Sequence, residues 1–161
     1  LEVLRPRRRP AQAGLRLSEE PVKIVQGFIP GEPIAQPRHR VGVIGGHARM
    51  FEATKKHPIH AWKAQVRHEL VALGITPYDG PMRASLMFWF ARPGRLVWKK
   101  RPMMVEPHTS KPDVDNLAKA FMDAASGIVW NDDSQLYVAD VAKHYVAGGG
   151  TPGLAFTLTY D

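Results

Sequence analysis

The spacing of apolar residues predicts three strands that would carry most of a sheet. Val22–Ile29, punctuated by Pro30, favours a first strand. From Leu154 to Tyr160, larger apolar residues alternate with Ala and Thr, the period of two that marks a strand. Pro81–Ala91 alternates in the same way, with Met82, Ala84, Leu86, Phe88 and Phe90 on one side. Its other side carries Met87 and Trp89, which predicts a strand covered on both faces.

Two other segments show helical spacing. Apolar residues form a stripe along His60–Leu73, and Gly74 follows at the position of a C-cap. The second helix is predicted over Leu117–Ser126, where Gly127 ends it. Its apolar face consists of Leu117, Ala120, Phe121 and Ala124.

The remaining segments are shorter or irregular. Short extended pieces are predicted at Ala48–Phe51 and Ile128–Trp130, and a longer strand at Leu136–Val146. A long loop is predicted over residues 92–112, and loops of this length are usually functional or disordered. Together these elements predict an α/β (α+β) fold, a single mixed sheet with two main helices packed on it.

Length and composition fit one domain. The 161 residues, 44% of them hydrophobic, can bury a core without cross-links. The absence of cysteine excludes disulfides, thiolate zinc sites and a cysteine nucleophile. Because no apolar run reaches the roughly 20 residues of a spanning helix, we expect no membrane contact and a cytoplasmic location. Residues 1–20, rich in Arg, Pro and Ala, predict a flexible basic arm before a domain over residues 21–161.

The charge pattern indicates a polyanionic partner. The net charge is +7, which favours nucleic acid. Basic residues are clustered in several groups, among them Arg38 with Arg40 and the run Lys99–Arg101. Five of the eight aspartates lie within 21 residues: Asp113, Asp115, Asp123, Asp132 and Asp133. This combination predicts a cation site inside a polyanion-binding surface.

The segment around Asp113 and Asp115 contains the candidate chemistry. If the chain is extended there, both carboxylates point to the same side, and Asp115 or Asn116 can cap the helix predicted to begin at Leu117. Lys119 follows Asp115 by four residues and shares its polar helix face. Asp132 and Asp133 can approach these residues if the strand that follows them lies alongside.

Grouped carboxylates suit Mg²⁺, which takes one or two protein carboxylates, keeps waters and binds a substrate phosphate. Such an ion would polarise a phosphoryl oxygen and activate water. Lys119 would neutralise charge that develops on the phosphate or steer the attacking water. The structural alternative is that these aspartates only cap a helix and form a turn, and the pattern leaves both open. Trp98 is equally open, as a base-stacking residue or an anchor of the long loop.

From Lys111 to Gln135 the residues resemble the signature of RusA-type Holliday junction resolvases. The matches in order are Lys111–Leu117, Lys119, Asp123, Gly127–Trp130 and Asn131–Gln135. Weaker similarity extends over most of residues 22–160. The resemblance implies a homodimeric bacterial or phage nuclease that depends on Mg²⁺, for which Mn²⁺ can substitute. Such enzymes nick opposed strands of a four-way DNA junction in recombination and repair.

The resemblance also assigns roles to individual residues. Asp113, Asp115 and Asp133 correspond to metal-binding aspartates, and Lys119 corresponds to the catalytic lysine. We expect DNA contacts from Arg38, Arg40, Lys99, Lys100, Arg101 and Lys111. Two alternatives remain: a nuclease that prefers other branched DNA, and a non-catalytic DNA-binding protein.

Overall fold

The computed structural model describes residues 22–38, 40–51 and 54–161; the arm predicted at residues 1–20 lies outside them. The described residues form strands and two α-helices, in the order β1 Lys23–Pro30, β2 Arg40–Ile44, β3 His47–Phe51, α1 Pro58–Ala72, β4 Met82–Phe90, β5 Glu106–Pro107, α2 Val114–Ala125, β6 Leu136–Tyr145 and β7 Gly153–Tyr160. Short 3₁₀ helices occur at Gly94–Leu96 and Asp133–Gln135.

One mixed sheet of five strands has the order β1-β7-β4-β6-β5. Strands β4 and β6 are parallel, and the other neighbours are antiparallel. A parallel pair needs a crossover connection, and the segment between β4 and β6 contains α2. The predicted α+β class with a mixed sheet and two helices is confirmed.

A separate hairpin of β2 and β3 adds a second, two-stranded sheet. The extended piece predicted near Ala48 is β3, whereas β2 was not predicted. Gly45 and Gly46 connect the two strands with positive φ angles of 58° and 78°. Such angles at both central residues are those of a tight hairpin turn, which glycine adopts without steric cost.

Both helices pack on one face of the five-stranded sheet. The alternating set of β4 that begins with Met82 is buried, as are Trp62 of α1 and Phe121 of α2. The rings of Phe121 and Phe156 of β7 lie 5.9 Å apart. This layer of buried side chains is the core of the fold. Full burial of each large apolar side chain stabilises the folded state by about 1.5–3 kcal/mol.

The opposite face of the sheet differs from the prediction that β4 is covered on both sides. We call it the open face; it carries Ile24, Gln26 and Phe28 of β1, Ser85, Met87 and Trp89 of β4, and Ala155 and Thr157 of β7, by register and alternation. Within the described part of the chain, no helix covers it. Ile24 and Phe28 are 57% and 46% exposed, and Met87 and Trp89 are only half-buried.

The predicted start of one helix and one predicted short strand are wrong. Helix α2 begins at Val114 rather than Leu117, because the first turn of a helix accepts an acid such as Asp115 beside its positive end. Ile128–Trp130 is a turn with isolated bridges, not a strand. Gly127, at φ +76°, starts that turn directly after the helix.

Among the described residues, no helix combines the length and apolar character needed to cross a membrane.

Candidate functional site

The two aspartates of the Asp-Val-Asp motif lie at the start of α2. Asp113 is the N-cap residue and Asp115 belongs to the first helical turn. The extended arrangement predicted for them is therefore wrong, as is the prediction that Asp115 or Asn116 caps the helix. Both carboxylates still lie at the positive end of α2, where negative charge is favoured.

Asp113 forms an ion pair with Arg38. The Nη2 atom of Arg38 donates to Oδ2 of Asp113 at 2.6 Å, and the side chains are 72% and 43% exposed. Arg38 belongs to a segment that passes the start of α2, where the amide of Gln36 donates to the Asn116 carbonyl at 2.9 Å. An arginine predicted to contact DNA thus meets a predicted metal ligand directly.

A cleft of about 500 Å³ opens between this segment and α2. We call it the Asp113 cleft; its lining includes Gln36, Arg38, His57, Lys111, Asp113 and Asn116. His57 caps α1, and its Nδ1 atom accepts from the amide of Ile59 at 3.1 Å. Two basic residues predicted to contact DNA therefore line the same cleft as Asp113.

Lys143 supports the segment that leads into the cleft. Its ammonium donates to the carbonyls of Ser110 and Pro112. The sequence pattern assigns no role to Lys143. The available signal was the alternation of β6, because Lys143 lies two residues before the buried Tyr145 and therefore on the same side of the strand. A lysine directed toward a core needs polar partners.

The second acidic pair divides into two roles. Asp132 caps the 3₁₀ helix Asp133–Gln135 and accepts from the amide of Ser134 at 2.8 Å. Hydrogen bonding with the Ser134 side chain, and then with its amide, lowers the pKa of Asp132. Asp133 accepts from the indole Nε1 of the buried Trp130 at 2.7 Å. Gln135 stabilises this turn, because its Oε1 atom accepts hydrogen bonds from the amides of Asn131 and Asp132.

Trp130 and Gln135, which belong to the motif but received no individual role from the sequence, are positioning residues. The signal for Trp130 was its place as the last apolar residue before the acidic turn. The side-chain amide of Gln135 also donates to the carbonyls of Tyr78 and Gly80, which connects the turn to the segment before β4.

Lys119 lies on the exposed side of α2, and its side chain is 60% exposed. Its Nζ atom lies 3.7 Å from Oδ1 of Asp123, one turn further along. The other oxygen of Asp123 accepts from Lys63 of α1 at 2.9 Å. Lys119 thus belongs to a three-residue charged group that joins the two helices.

The structure does not bring the predicted metal ligands together as a set. Among the residues it describes, no three His, Asp or Glu side chains are grouped closely enough to hold a metal. Asp113 and Asp115 share the start of α2, and Asp133 lies at a separate turn. The three-aspartate ligand set stays a prediction. The donor chemistry of Asp113 and Asp115 fits Mg²⁺, which takes one or two protein carboxylates.

The remaining basic residues predicted to contact DNA lie elsewhere. Arg40 begins β2, and Lys99, Lys100 and Arg101 are exposed in the loop after β4. The guanidinium of Arg101 lies 3.7 Å from the ring centre of Trp98, which is half-buried. Because Arg101 already covers its ring, Trp98 is better explained as an anchor of the loop than as a free platform for a base.

A family model described as endodeoxyribonuclease RusA matches residues 30–155. The matched range includes both acidic motifs, Lys119 and the Asp113 cleft. The chain belongs to the RusA family of endodeoxyribonucleases. RusA-type nucleases are generally dependent on a divalent metal. The chain is also 29% identical over 119 residues to the uncharacterized protein YqaN of Bacillus subtilis (strain 168). The matched stretch covers 71% of this chain and 83% of that protein.

Proposed function

We propose that this endodeoxyribonuclease resolves four-way DNA junctions by paired, Mg²⁺-dependent nicks during recombination and repair, in a bacterial or phage-infected cytoplasm. The observation that carries the proposal is the Asp113 cleft. Arg38 and Lys111 line it together with the Asp113 carboxylate at the start of α2. Acidic and basic groups side by side suit a cation and the DNA phosphate it acts on. The nuclease domain is the unit over residues 21–161.

Asp113, Asp115 and Asp133 are the residues that would hold Mg²⁺ or Mn²⁺. When bound, the ion polarises a phosphoryl oxygen and makes water a stronger nucleophile. Arg38 and Lys111 bind and orient the phosphodiester, as do Arg40, Lys99, Lys100 and Arg101 further along the DNA backbone. Lys119 stabilises negative charge on the phosphate in the transition state.

The proposal includes a homodimer, because two sites related by a two-fold axis match the approximate symmetry of a four-way junction. The open face supports it. Ile24 and Phe28 present apolar surface there, continuous with Met87 and Trp89, and adjoining exposed apolar residues are typical of interaction surfaces. We assign this face to a second copy of the chain.

The test is incubation of the protein with an end-labelled four-way junction, with and without Mg²⁺. We expect symmetric nicks in two opposed strands that ligase can seal, and intact DNA without the ion. Asp113→Asn, Asp115→Asn and Asp133→Asn should each abolish cleavage and leave junction binding intact. Full activity in any two of these variants would remove the metal-site assignment.

The same assay separates the alternatives. Flap, fork and three-way substrates run in parallel identify a nuclease that prefers other branches, if these are cut faster than the four-way junction. A non-catalytic DNA-binding protein would bind the junction and cut none of the substrates at any Mg²⁺ or Mn²⁺ concentration.

A further inference from the structure

We infer that Asp123 is a positioning residue that holds the Lys119 ammonium away from Asp115, so that Asp115 is left to the cation and the lysine charge to the scissile phosphate. The inference rests on the proposed function, because it assigns a task to the lysine of that site. It adds a residue on the third turn of α2 to a site otherwise formed at the helix start and the acidic turn.

The two carboxylate oxygens of Asp123 serve different partners. Oδ2 accepts from Nζ of Lys63 on α1 at 2.9 Å, and Oδ1 lies 3.7 Å from Nζ of Lys119. Asp123 and Lys63 are 28% and 22% exposed, whereas Lys119 is 60% exposed. The better shielded pair therefore joins the two helices, while the other oxygen of the carboxylate faces the exposed lysine.

The direction of this contact matters for the site. Asp115 and Asp123 each lie one turn from Lys119, on opposite sides along α2. Side chains on a helix lean toward its N-terminus, so an unrestrained Lys119 would lean toward Asp115. The contact with Asp123 draws the ammonium the other way, which leaves Asp115 to the cation and the lysine charge to the phosphate.

Stability alone does not account for the arrangement. An exposed pair four residues apart in a helix adds little to folding stability, and a lysine gives up much rotamer freedom when it is held. A carboxylate that binds one lysine firmly and a second loosely instead leaves the second free to transfer its contact to a phosphate. Lys63 then acts in folding, and Lys119 in the reaction.

The test is a double-mutant cycle under single-turnover conditions, with excess protein and a labelled four-way junction. The variants are Lys119→Ala, Asp123→Asn and their combination. We expect Asp123→Asn to slow cleavage about tenfold, with junction affinity in Ca²⁺ unchanged. In the Lys119→Ala background the same change should have no further effect, because the lysine that it positions is absent.

Lys63→Gln is the matched control. It breaks the pair between the helices but leaves the contact between Asp123 and Lys119, so it should lower Tm and keep the cleavage rate within about twofold of wild type. If Lys63→Gln reproduces the loss of rate, or if Asp123→Asn slows cleavage equally in both backgrounds, Asp123 is only structural and the inference fails.

Two further results complete the design. If Asp123→Asn does not fold, Asp123→Ser replaces it in the cycle, with the same outcomes. Wild-type cleavage by Lys119→Ala overturns the proposed role of the lysine itself. A slow Lys119→Ala beside a fully active Asp123→Asn overturns this inference alone.

Discussion

At the scale of single residues, the ion pair between Arg38 and Asp113 joins the two kinds of chemistry in the site. Both side chains are substantially exposed, so the pair adds at most about 1 kcal/mol to stability. Such a contact is easily exchanged. A cation can displace the guanidinium from Asp113, and the released guanidinium can bind a phosphate. Arg38 is therefore expected to compete with the metal before DNA arrives.

Arg38→Ala tests this competition. Without the guanidinium, the Asp113 carboxylate is free, and the affinity of the DNA-free protein for Mn²⁺ should rise by up to about fivefold. Affinity for a junction should fall, and Tm should hardly change. Electron paramagnetic resonance of free Mn²⁺ during a titration measures the first effect. Arg95→Ala, an exposed arginine in the long loop, is the control. Identical Mn²⁺ binding in the variant and the wild type would contradict the prediction.

His108 is a buried residue whose charge matters for folding. Its ring lies between Phe90 and Tyr145, at 4.5 and 4.4 Å between ring centres, and the residue is only 6% exposed. Its Nδ1 atom is buried without a hydrogen-bond partner among the described residues. Burial, and then the nearby charge of Lys143, lower the pKa of His108. The folded protein therefore holds this ring neutral.

Stability should consequently fall as the solution becomes acidic. The unfolded chain takes up a proton on His108 near pH 6.5, whereas the folded chain resists it. The contribution of the neutral ring is fully present above pH 6.5 and is lost as pH falls toward the folded pKa. His108→Phe cannot be protonated, so its stability relative to wild type should rise between pH 7.5 and pH 5.5. Urea unfolding at both pH values measures this, with the exposed His68→Gln as control. Parallel losses in His108→Phe and wild type would contradict it.

At the scale of elements, the loop after β4 is organised by one side chain. The side chain of Arg92 is 4% exposed, and its guanidinium donates to the carbonyls of Val146, Leu96 and Met104 and to Glu106. The loop that the sequence leaves without regular structure is thus tied to the ends of β5 and β6. This arrangement presents Lys99 and Lys100 on a supported surface.

Arg92→Met should open this loop. It leaves several carbonyls and Glu106 without their donor, so we expect the free energy of unfolding to fall by about 3 kcal/mol. Trypsin should then cut at Lys99, Lys100 or Arg101 far faster than in the wild type. Arg95→Met, in the same loop but exposed, should change stability by less than about 0.5 kcal/mol. Equal protease resistance in the two variants would show that Arg92 does not hold the loop.

At the scale of the whole molecule, basic groups are spread over several elements rather than along one helix. Arg38 lies in the Asp113 cleft, Arg40 begins β2, and Lys99 lies in the long loop. A surface of this kind contacts DNA phosphates, so it recognises the shape of the DNA backbone more than the sequence of its bases. Doubling it across a two-fold axis would extend it over both halves of a junction.

Competition binding tests this view of the molecule. In Ca²⁺, which should hold DNA without cleavage, a four-way junction should bind more tightly than linear duplex of the same sequence. Six or more phosphate contacts would lower affinity by about a thousandfold between roughly 50 and 200 mM salt. Sedimentation should give the mass of a dimer, and Phe28→Asp on the open face should shift it toward the monomer. Equal affinity for both DNAs, or a monomeric wild type, would favour a general nuclease.

The sequence by itself determined the main elements and the family. Strands β4 and β7 and both helices follow from local periodicity, because the burial of one face is recorded in the spacing of neighbouring residues. The motif from Lys111 to Gln135 identified the chemistry for a similar reason, since its residues are close in the chain. Even there, the start of α2 was misplaced, because Asp115 is equally suited to a cap and to a first turn.

Only the tertiary structure decided which charged groups meet. Arg38 pairs with Asp113 across 75 residues, and Lys63 with Asp123 across 60. The support that Lys143 gives to the segment before α2 depends on β5 lying next to β6. Local spacing carries no record of such pairings, because they depend on how helices and strands cross. The side chains available to a cation or a phosphate are therefore a property of the packed elements.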